Sequence, residues 1–320
     1  MPATNAFPQG KVGEMLKALE DRLGMKVLSL YMNGDSQWYL DVAIPLYDAL
    51  EEMGRPEKLA LFLRGVGGQA EVPWRIVALL RDSASNLTIL VPEFALSGAT
   101  HVALSADRLV MGPLSTLGPV DPQSTHPTLP HGPKGEPARV SVQDLHEFIA
   151  FATQTVGIRR ARATLRKLVP SLMSEVNPLA IGAIRRASLL SRDITRRVLL
   201  TRKPTPSGAA MDRIADLLAE RFWSHSFPIT RAEARDEIGL PVEDASPELW
   251  NEMMTVLRLL RAQGEESYTE KIATTEIRAS CFGLIDTVDS RWVYLGRATA
   301  DGKALGALWM PNSSKAQPPQ

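Results

Sequence analysis

Apolar residues fall at helical spacing over 11–24, where Met15, Leu16, Leu19 and Leu23 share one face, and then run together through KVLSLYM (26–32). The same change of pattern recurs down the first third of the chain. Residues 38–53 are predicted helical, KLALFLRG (58–65) a buried strand, and GVGG (65–68) a tight turn. A helix over 70–84, a strand at NLTILVP (86–92), a helix over 97–105 and a strand at RLVMG (108–112) follow. Amphipathic helices place apolar residues every three to four positions, whereas strands covered on both faces read as short unbroken apolar runs. Strands alternating with helices predict an α/β protein built from βαβ units, with a largely parallel sheet and flanking helices.

The pattern then changes. LGPVDPQSTHPTLPHGPKGEPA (117–138) is crowded with Pro, Gly and His and is predicted to be a loop, of a length usually reserved for lids or mobile segments. Residues 139–200 read as helical, as do 211–222, 231–238 and 247–262. Beyond 270 the alternation returns with turn signals such as ADG, which predicts a small antiparallel β appendage; the final NSSKAQPPQ has the composition of a disordered end. The domain expectation is therefore a main unit over 1–242 and an extension over 243–320, made of a helix and the β appendage.

Composition narrows the classes. The 320 residues carry 36 Lys+Arg against 36 Asp+Glu, so there is no basic excess of the kind a nucleic-acid binder needs. The basic stretch RRARATLRK (159–167) and the pairs at 185–186 and 196–197 read as a solvated helical face or a subunit contact. One cysteine, Cys281, excludes an internal disulfide and a cysteine-built zinc site, and reads as a small buried hydrophobe. Met253 and Met254 read as core of the last long helix. No signal-like segment and no run of about 18 apolar residues is present, so a cytoplasmic location is expected, with no membrane partner.

Two turns carry the candidate chemistry. One is strand, GVGG, helix; the other is strand, PEFALSGAT (92–100), helix, with Ser97 at the helix start. Ligands of open α/β sheets collect beyond the carboxyl ends of the strands, where both turns lie. A hydroxyl at Ser97, the following N–H of Gly98 and a second N–H from Gly68 are the parts of acyl-transfer chemistry, with a helix start adding positive potential. Each part also has a plainer reading: Ser97 as a helix N-cap, GVGG as a turn only.

The run ALSGATHVALSADRLVMGPLSTLGPVDPQ (95–123) resembles the nucleophile segment of the serine dehydrogenase proteinase family, which is similar to signal peptide peptidase A and, more distantly, to Clp protease, within the Clp/crotonase fold. LALFLRGVGG (59–68) resembles that fold's oxyanion element, and NPLAIGAIRRA (177–187) and SHSFPITRAEARDEIGLPV (224–242) resemble later segments of the family. The resemblance runs in order over about residues 10–262. It implies a serine peptidase with Ser97 as nucleophile, Gly68 and Gly98 as oxyanion amides, a peptide or protein substrate, a homo-oligomer, and no metal or other cofactor. One departure stands at the elbow: the family has Ser-Ala-Gly-Thr, and this chain has Ser97-Gly98-Ala99-Thr100.

Relatives use a Ser-Lys dyad or a Ser-His-Asp triad, so the general base is open. Lys134, 37 positions after Ser97, falls where a dyad lysine is expected if its loop folds back over Ser97; His126 and His131 in the same loop could serve as base instead, or be turn or surface histidines. His225 in SHSFPI is a possible supporting residue or a capping histidine, and Asp121 in GPVDPQ either orients a base or is a turn residue. His101, one helical turn past Ser97, is expected to point into the core or an interface. Two other readings compete: an inactive scaffold or peptide-binding module of the same fold, and a crotonase-type acyl-CoA enzyme that needs the amides but not Ser97.

Overall fold

A computed structural model gives the architecture; it describes residues 7–123 except 35, together with 128–129, 135, 138, 140–155, 170, 177–272 and 275–312. The opening alternation is realised as α1 (Lys11–Leu23), β1 (Lys26–Met32), α2 (Ala43–Glu52, entered through a 3-10 turn at Leu40–Val42), β2 (Lys58–Arg64), α3 (Val72–Ser83), β3 (Asn86–Val91), β4 (Phe94–Ala95), α4 (Gly98–Leu104), β5 (Arg108–Met111) and β6 (Thr116–Leu117). Then come α5 (Val142–Ala150, running on as a π turn to Thr155), α6 (Pro178–Leu200), α7 (Gly208–Glu220), β7 (Ile229–Thr230), a π-helical turn at Glu233–Ile238, β8 (Val242–Asp244) and α8 (Pro247–Gly264). The tail is β9 (Ser267–Ile272), β10 (Thr275–Asp286), β11 (Arg291–Thr299) and β12 (Ala304–Pro311).

Strands β1, β2, β3, β5 and β8 are parallel neighbours in that order, the α/β sheet predicted from the alternation. Their apolar runs serve both faces. Leu28, Leu30, Leu59, Leu61 and Leu63 pack in one core with α2, α3, α4 and α6, while Val27, Tyr31, Ala60 and Phe62 pack in the other with α1 and α8. With period-2 side chains and a helix layer on each side, near-continuous burial is required, and it runs to six residues in β1 and β2 and five in β3.

The tail is antiparallel, as expected, and continuous with the main sheet. β10 pairs antiparallel with β1, and β11 and β12 extend the same sheet outward, with β9 also on β10. The junction is tied by the wholly buried Arg291, whose Nε donates to Asp286 Oδ1 and whose Nη1 donates to the Pro8 carbonyl at 2.9 Å and to Gln263 Oε1 at 2.6 Å.

The helix predicted over 38–53 starts later because Trp38 is spent otherwise: its backbone bridges to Gly68. A second, three-stranded sheet of two-residue strands, β4-β6-β7, sits above the first. The stretch 159–167 lies outside the described residues. Arg192, Arg196 and Arg197 form ion pairs with Asp216, Glu220, Asp212 and Asp193 on α6 and α7, the solvated face expected there. Met253 is fully buried and Met254 packs against the same core. Among the described residues no helix is long and apolar enough to cross a membrane.

Candidate functional site

The two turns singled out in the sequence follow adjacent parallel strands, β2 and β3, and are in direct contact. Gly65 N–H donates to the Phe94 carbonyl at 3.3 Å, and Leu96 N–H to the Gly65 carbonyl at 3.0 Å. The glycines allow the approach. Gly67 has φ +88°, and a methyl group there would lie 2.8 Å from Gly98 Cα and closer to its nitrogen. A methyl on Gly68 would lie 2.8 Å from the Trp38 carbonyl carbon and closer to that residue's oxygen and nitrogen. Trp38 clamps the turn from that side: its N–H donates to the Gly67 carbonyl at 2.7 Å, and its carbonyl accepts from Gln69 N–H at 3.0 Å.

Ser97 stands at the elbow with φ 50° and ψ −113°. This is a region that side-chain-bearing residues rarely enter, and holding one there costs about 1–3 kcal/mol. Arg55 is the other described non-glycine residue with positive φ. The Ser97 side chain makes no capping bond to α4, so the N-cap reading does not account for it. A strained serine on a sharp strand-to-helix turn is the geometry of a nucleophile elbow. Among the described residues, the amides of Gly68 and Gly98 donate to no other backbone group. With seven residues, α4 adds little helix-dipole potential.

The elbow is held from below. The Thr100 hydroxyl accepts from Gly118 N–H at 3.1 Å and reaches the Ala95 carbonyl at 2.7 Å. The Ser97-Gly98-Ala99 order fits this packing. A methyl on Gly98 would sit 3.1 Å from both Gly67 Cα and Pro73 Cγ, whereas Ala99 is fully buried and its N–H reaches the Leu96 carbonyl at 2.9 Å. The carboxyl end of β3 is fixed by Glu93, which accepts from Arg64 at 2.8 Å and pairs with Arg261. Burial disfavours the Glu93 carboxylate, but the two guanidinium groups outweigh it and hold the pKa below the usual value.

Ser97 opens onto a cavity of about 390 Å³ lined also by Gly68, Gly98, His101, Ser191 and His225. His225 Nδ1 lies 2.9 Å from Asp121 Oδ1, with the histidine side chain about one-quarter exposed. A carboxylate at Nδ1 keeps the proton there and leaves Nε2 as the basic nitrogen. The small sheet explains how residues 97, 121 and 225 converge: β4 ends two residues before Ser97, β6 ends four before Asp121, and β7 begins four after His225.

His101 is buried, with Nε2 3.1 Å from Thr195 Oγ1 and 3.3 Å from the Ser191 carbonyl; burial pushes its pKa down to about 4, so it is neutral. This is the inward placement expected from the sequence. Ser191 in turn donates to the Val120 carbonyl at 2.6 Å, next to Asp121. Lys134, His126 and His131 lie outside the described residues. Cys281 is buried and its thiol pKa is pushed up to about 12, chiefly by burial, which leaves it inert. Among the described residues no group of three or more His, Cys, Asp or Glu could hold a metal ion.

Residues 48–131, which contain both turns, match the family model of the ClpP-like SDH-type serine proteinases, and the resemblance read from the sequence is borne out there. The members of that family are serine proteases, that is, hydrolases. The uncharacterized protein MJ1495 of Methanocaldococcus jannaschii is 22% identical over 224 residues, covering 61% of this chain and 77% of the relative. MJ0137 of the same organism is 23% identical over 221 residues, covering 67% of this chain and 62% of its own length. Two solved structures of the 1510-N membrane-bound stomatin-specific protease are also similar. A mutant in complex with a substrate peptide has a TM-score of 0.39 and 15% identity, over 72% of this chain and 77% of that one. A second mutant has a TM-score of 0.36 and 16% identity, over 74% and 84%.

Proposed function

We propose that this protein is a serine peptidase that cleaves peptide bonds through an acyl-enzyme on Ser97, with His225 as general base and Asp121 as its orienting carboxylate. The observation that carries the reading is the strained elbow at Ser97, which opens onto the cavity that His225 also lines, with His225 held at 2.9 Å by Asp121.

In this reading Ser97 Oγ attacks the scissile carbonyl carbon, and its proton passes to His225 Nε2. The carbonyl oxygen becomes an oxyanion and takes the N–H groups of Gly68 and Gly98, which have no backbone acceptor among the described residues. Preorganised donors of this kind stabilise the tetrahedral state because they need no reorganisation as charge develops. Collapse of that state breaks the C–N bond, and the imidazolium returns the proton to the leaving amine. A water then attacks the ester, again giving its proton to His225, and the second collapse frees the acid and Ser97. No step calls for a metal or cofactor.

The reading includes a homo-oligomer acting on peptides or proteins in the cytoplasm. Apolar side chains that water would otherwise cover, such as Trp223 beside His225 (79% exposed) and Ile44 (67%), support subunit or substrate contact. Light scattering on the purified chain tests the assembly.

Hydrolysis of labelled casein by three variants tests the base. His225→Ala is expected to lower the rate by about 10³–10⁴, as loss of a triad member does, and Lys134→Ala to leave it near the wild-type value. The opposite ranking would assign the proton to Lys134 and make the enzyme a dyad peptidase. Loss with Ser97→Ala alone would leave both bases unsupported.

A further inference from the structure

Gln37 lines the Ser97 cavity and also a second, larger one of about 730 Å³, so the two lie on either side of that residue. The larger cavity is built by β10, β11 and β12, the strands that lie beyond the stretch resembling the peptidase family, together with the loop before α2. Phe282 and Tyr294 meet edge to face with centroids 6.1 Å apart, and Tyr294 stacks on Trp309 at 5.0 Å. Gly296 makes room for the first ring: a methyl there would lie 2.8 Å from Phe282 Cδ2 and closer to the rest of the ring edge. Burial, helped by Asp41, pushes the Tyr294 pKa to about 12, so its hydroxyl stays a donor.

Among the described residues, Arg278 and Arg297 are the charged side chains of the lining. The Arg278 side chain is exposed, and its Nη2 donates to Ser267 Oγ at 3.3 Å, with no carboxylate partner among the described residues. An aromatic wall with a guanidinium fits a ligand that is apolar along its length and carries a carboxylate.

We propose that this cavity is an extended substrate subsite, which holds a carboxylate-bearing, apolar stretch of the same peptide whose scissile bond lies at Ser97. Arg278 takes the carboxylate, and Phe282 and Tyr294 take the apolar side chain. Neighbouring cavities that share Gln37 as a wall support one peptide running past that residue as the occupant rather than a separate ligand, and Arg278 sets its charge. An occupied subsite also lies one residue from Trp38, the clamp on the Gly67–Gly68 turn. The proposal rests on the peptidase reading for the bond that is cut, but not for the binding itself.

The test separates the two. The Ser97→Ala protein, which cannot turn over substrate, is titrated calorimetrically with N-acetyl-Phe-Ala-Glu-amide and with its Gln counterpart. The Glu peptide is expected to bind about 10-fold more tightly, Arg278→Ala to abolish that difference, and Arg278→Lys to restore part of it. In the active protein, Glu-bearing fluorogenic peptides are expected to show a KM about 10-fold lower than Gln-bearing ones with kcat unchanged. Equal binding of the two peptides, binding of neither, or a difference that survives Arg278→Ala would overturn the subsite. A Glu preference in a protein that hydrolyses nothing would keep the subsite and count against the peptidase reading alone.

Discussion

Gly68→Ala is the substitution for which the structure gives the sharpest expectation. The new methyl would fall on backbone: 2.8 Å from the Trp38 carbonyl carbon and nearer still to its oxygen and nitrogen. Backbone atoms cannot swing aside as the end of a long side chain can, so the bridge between Trp38 and Gly68 must open. That loses the bonds from Trp38 N–H to the Gly67 carbonyl and from Gln69 N–H to the Trp38 carbonyl. At about 1 kcal/mol net for each bond, and about 1–3 kcal/mol for forced overpacking, the expected loss is about 3–5 kcal/mol. The displaced Gly68 amide is also one of the two oxyanion donors in the proposed mechanism, and removing such a donor lowers kcat by about 10²–10³. Urea unfolding gives the first quantity. Peptidase rates at a temperature where the variant is fully folded give the second. Gly182→Ala is the control: it lies in α6 with nothing within 4 Å of the added methyl, and should stabilise by about 1 kcal/mol with activity unchanged. A Gly68→Ala protein that unfolds and turns over like the wild type would refute the clamp and the oxyanion assignment together.

Asp121→Asn should keep the fold and lower kcat by about 10³–10⁴, because an amide at His225 Nδ1 no longer enforces the productive tautomer; unchanged kinetics would make the pair merely structural. His101 titrates at about 6.5 when unfolded and about 4 when folded, so its neutral burial stabilises the protein fully above pH 6.5, and that contribution, up to about 3 kcal/mol, is lost as pH falls towards 4. His101→Gln should flatten the melting temperature across that window, and an unaltered slope would contradict it. Arg291→Met, which leaves Asp286 buried without its partner, should cost about 3–5 kcal/mol in urea unfolding, whereas the double change Asp286→Asn with Arg291→Met should cost less than the sum of the singles; strict additivity would mean that the pair is not coupled.

Much of this was legible in the sequence because the strands are buried on both faces. An unbroken run such as KLALFLR admits few other structures, and its ends at 58 and 64 fall within a residue of the expected ones. The elbow was legible through its motif, and its strain came only with the backbone angles. The convergence of Asp121 and His225 was not legible, since it depends on β4, β6 and β7. Two-residue strands have no periodicity to read, and they bring together positions 104 apart. The attachment of β10 to β1 was hidden for a related reason: alternation predicts an antiparallel strand but not the edge to which it adds. The inward turn of His101 could be argued in advance, because a side chain one turn past Ser97 on the same helix does not face the serine hydroxyl well.

The central claim is an activated serine at the elbow. Treating the intact protein with a fluorophosphonate and locating the adduct by mass spectrometry tests it most directly, with Ser97→Ala and His225→Ala run alongside. The account predicts a single adduct on Ser97, absent in the first variant and slowed at least 100-fold in the second. No adduct on Ser97 in a folded, assembled sample, or equal labelling with His225 removed, would contradict it.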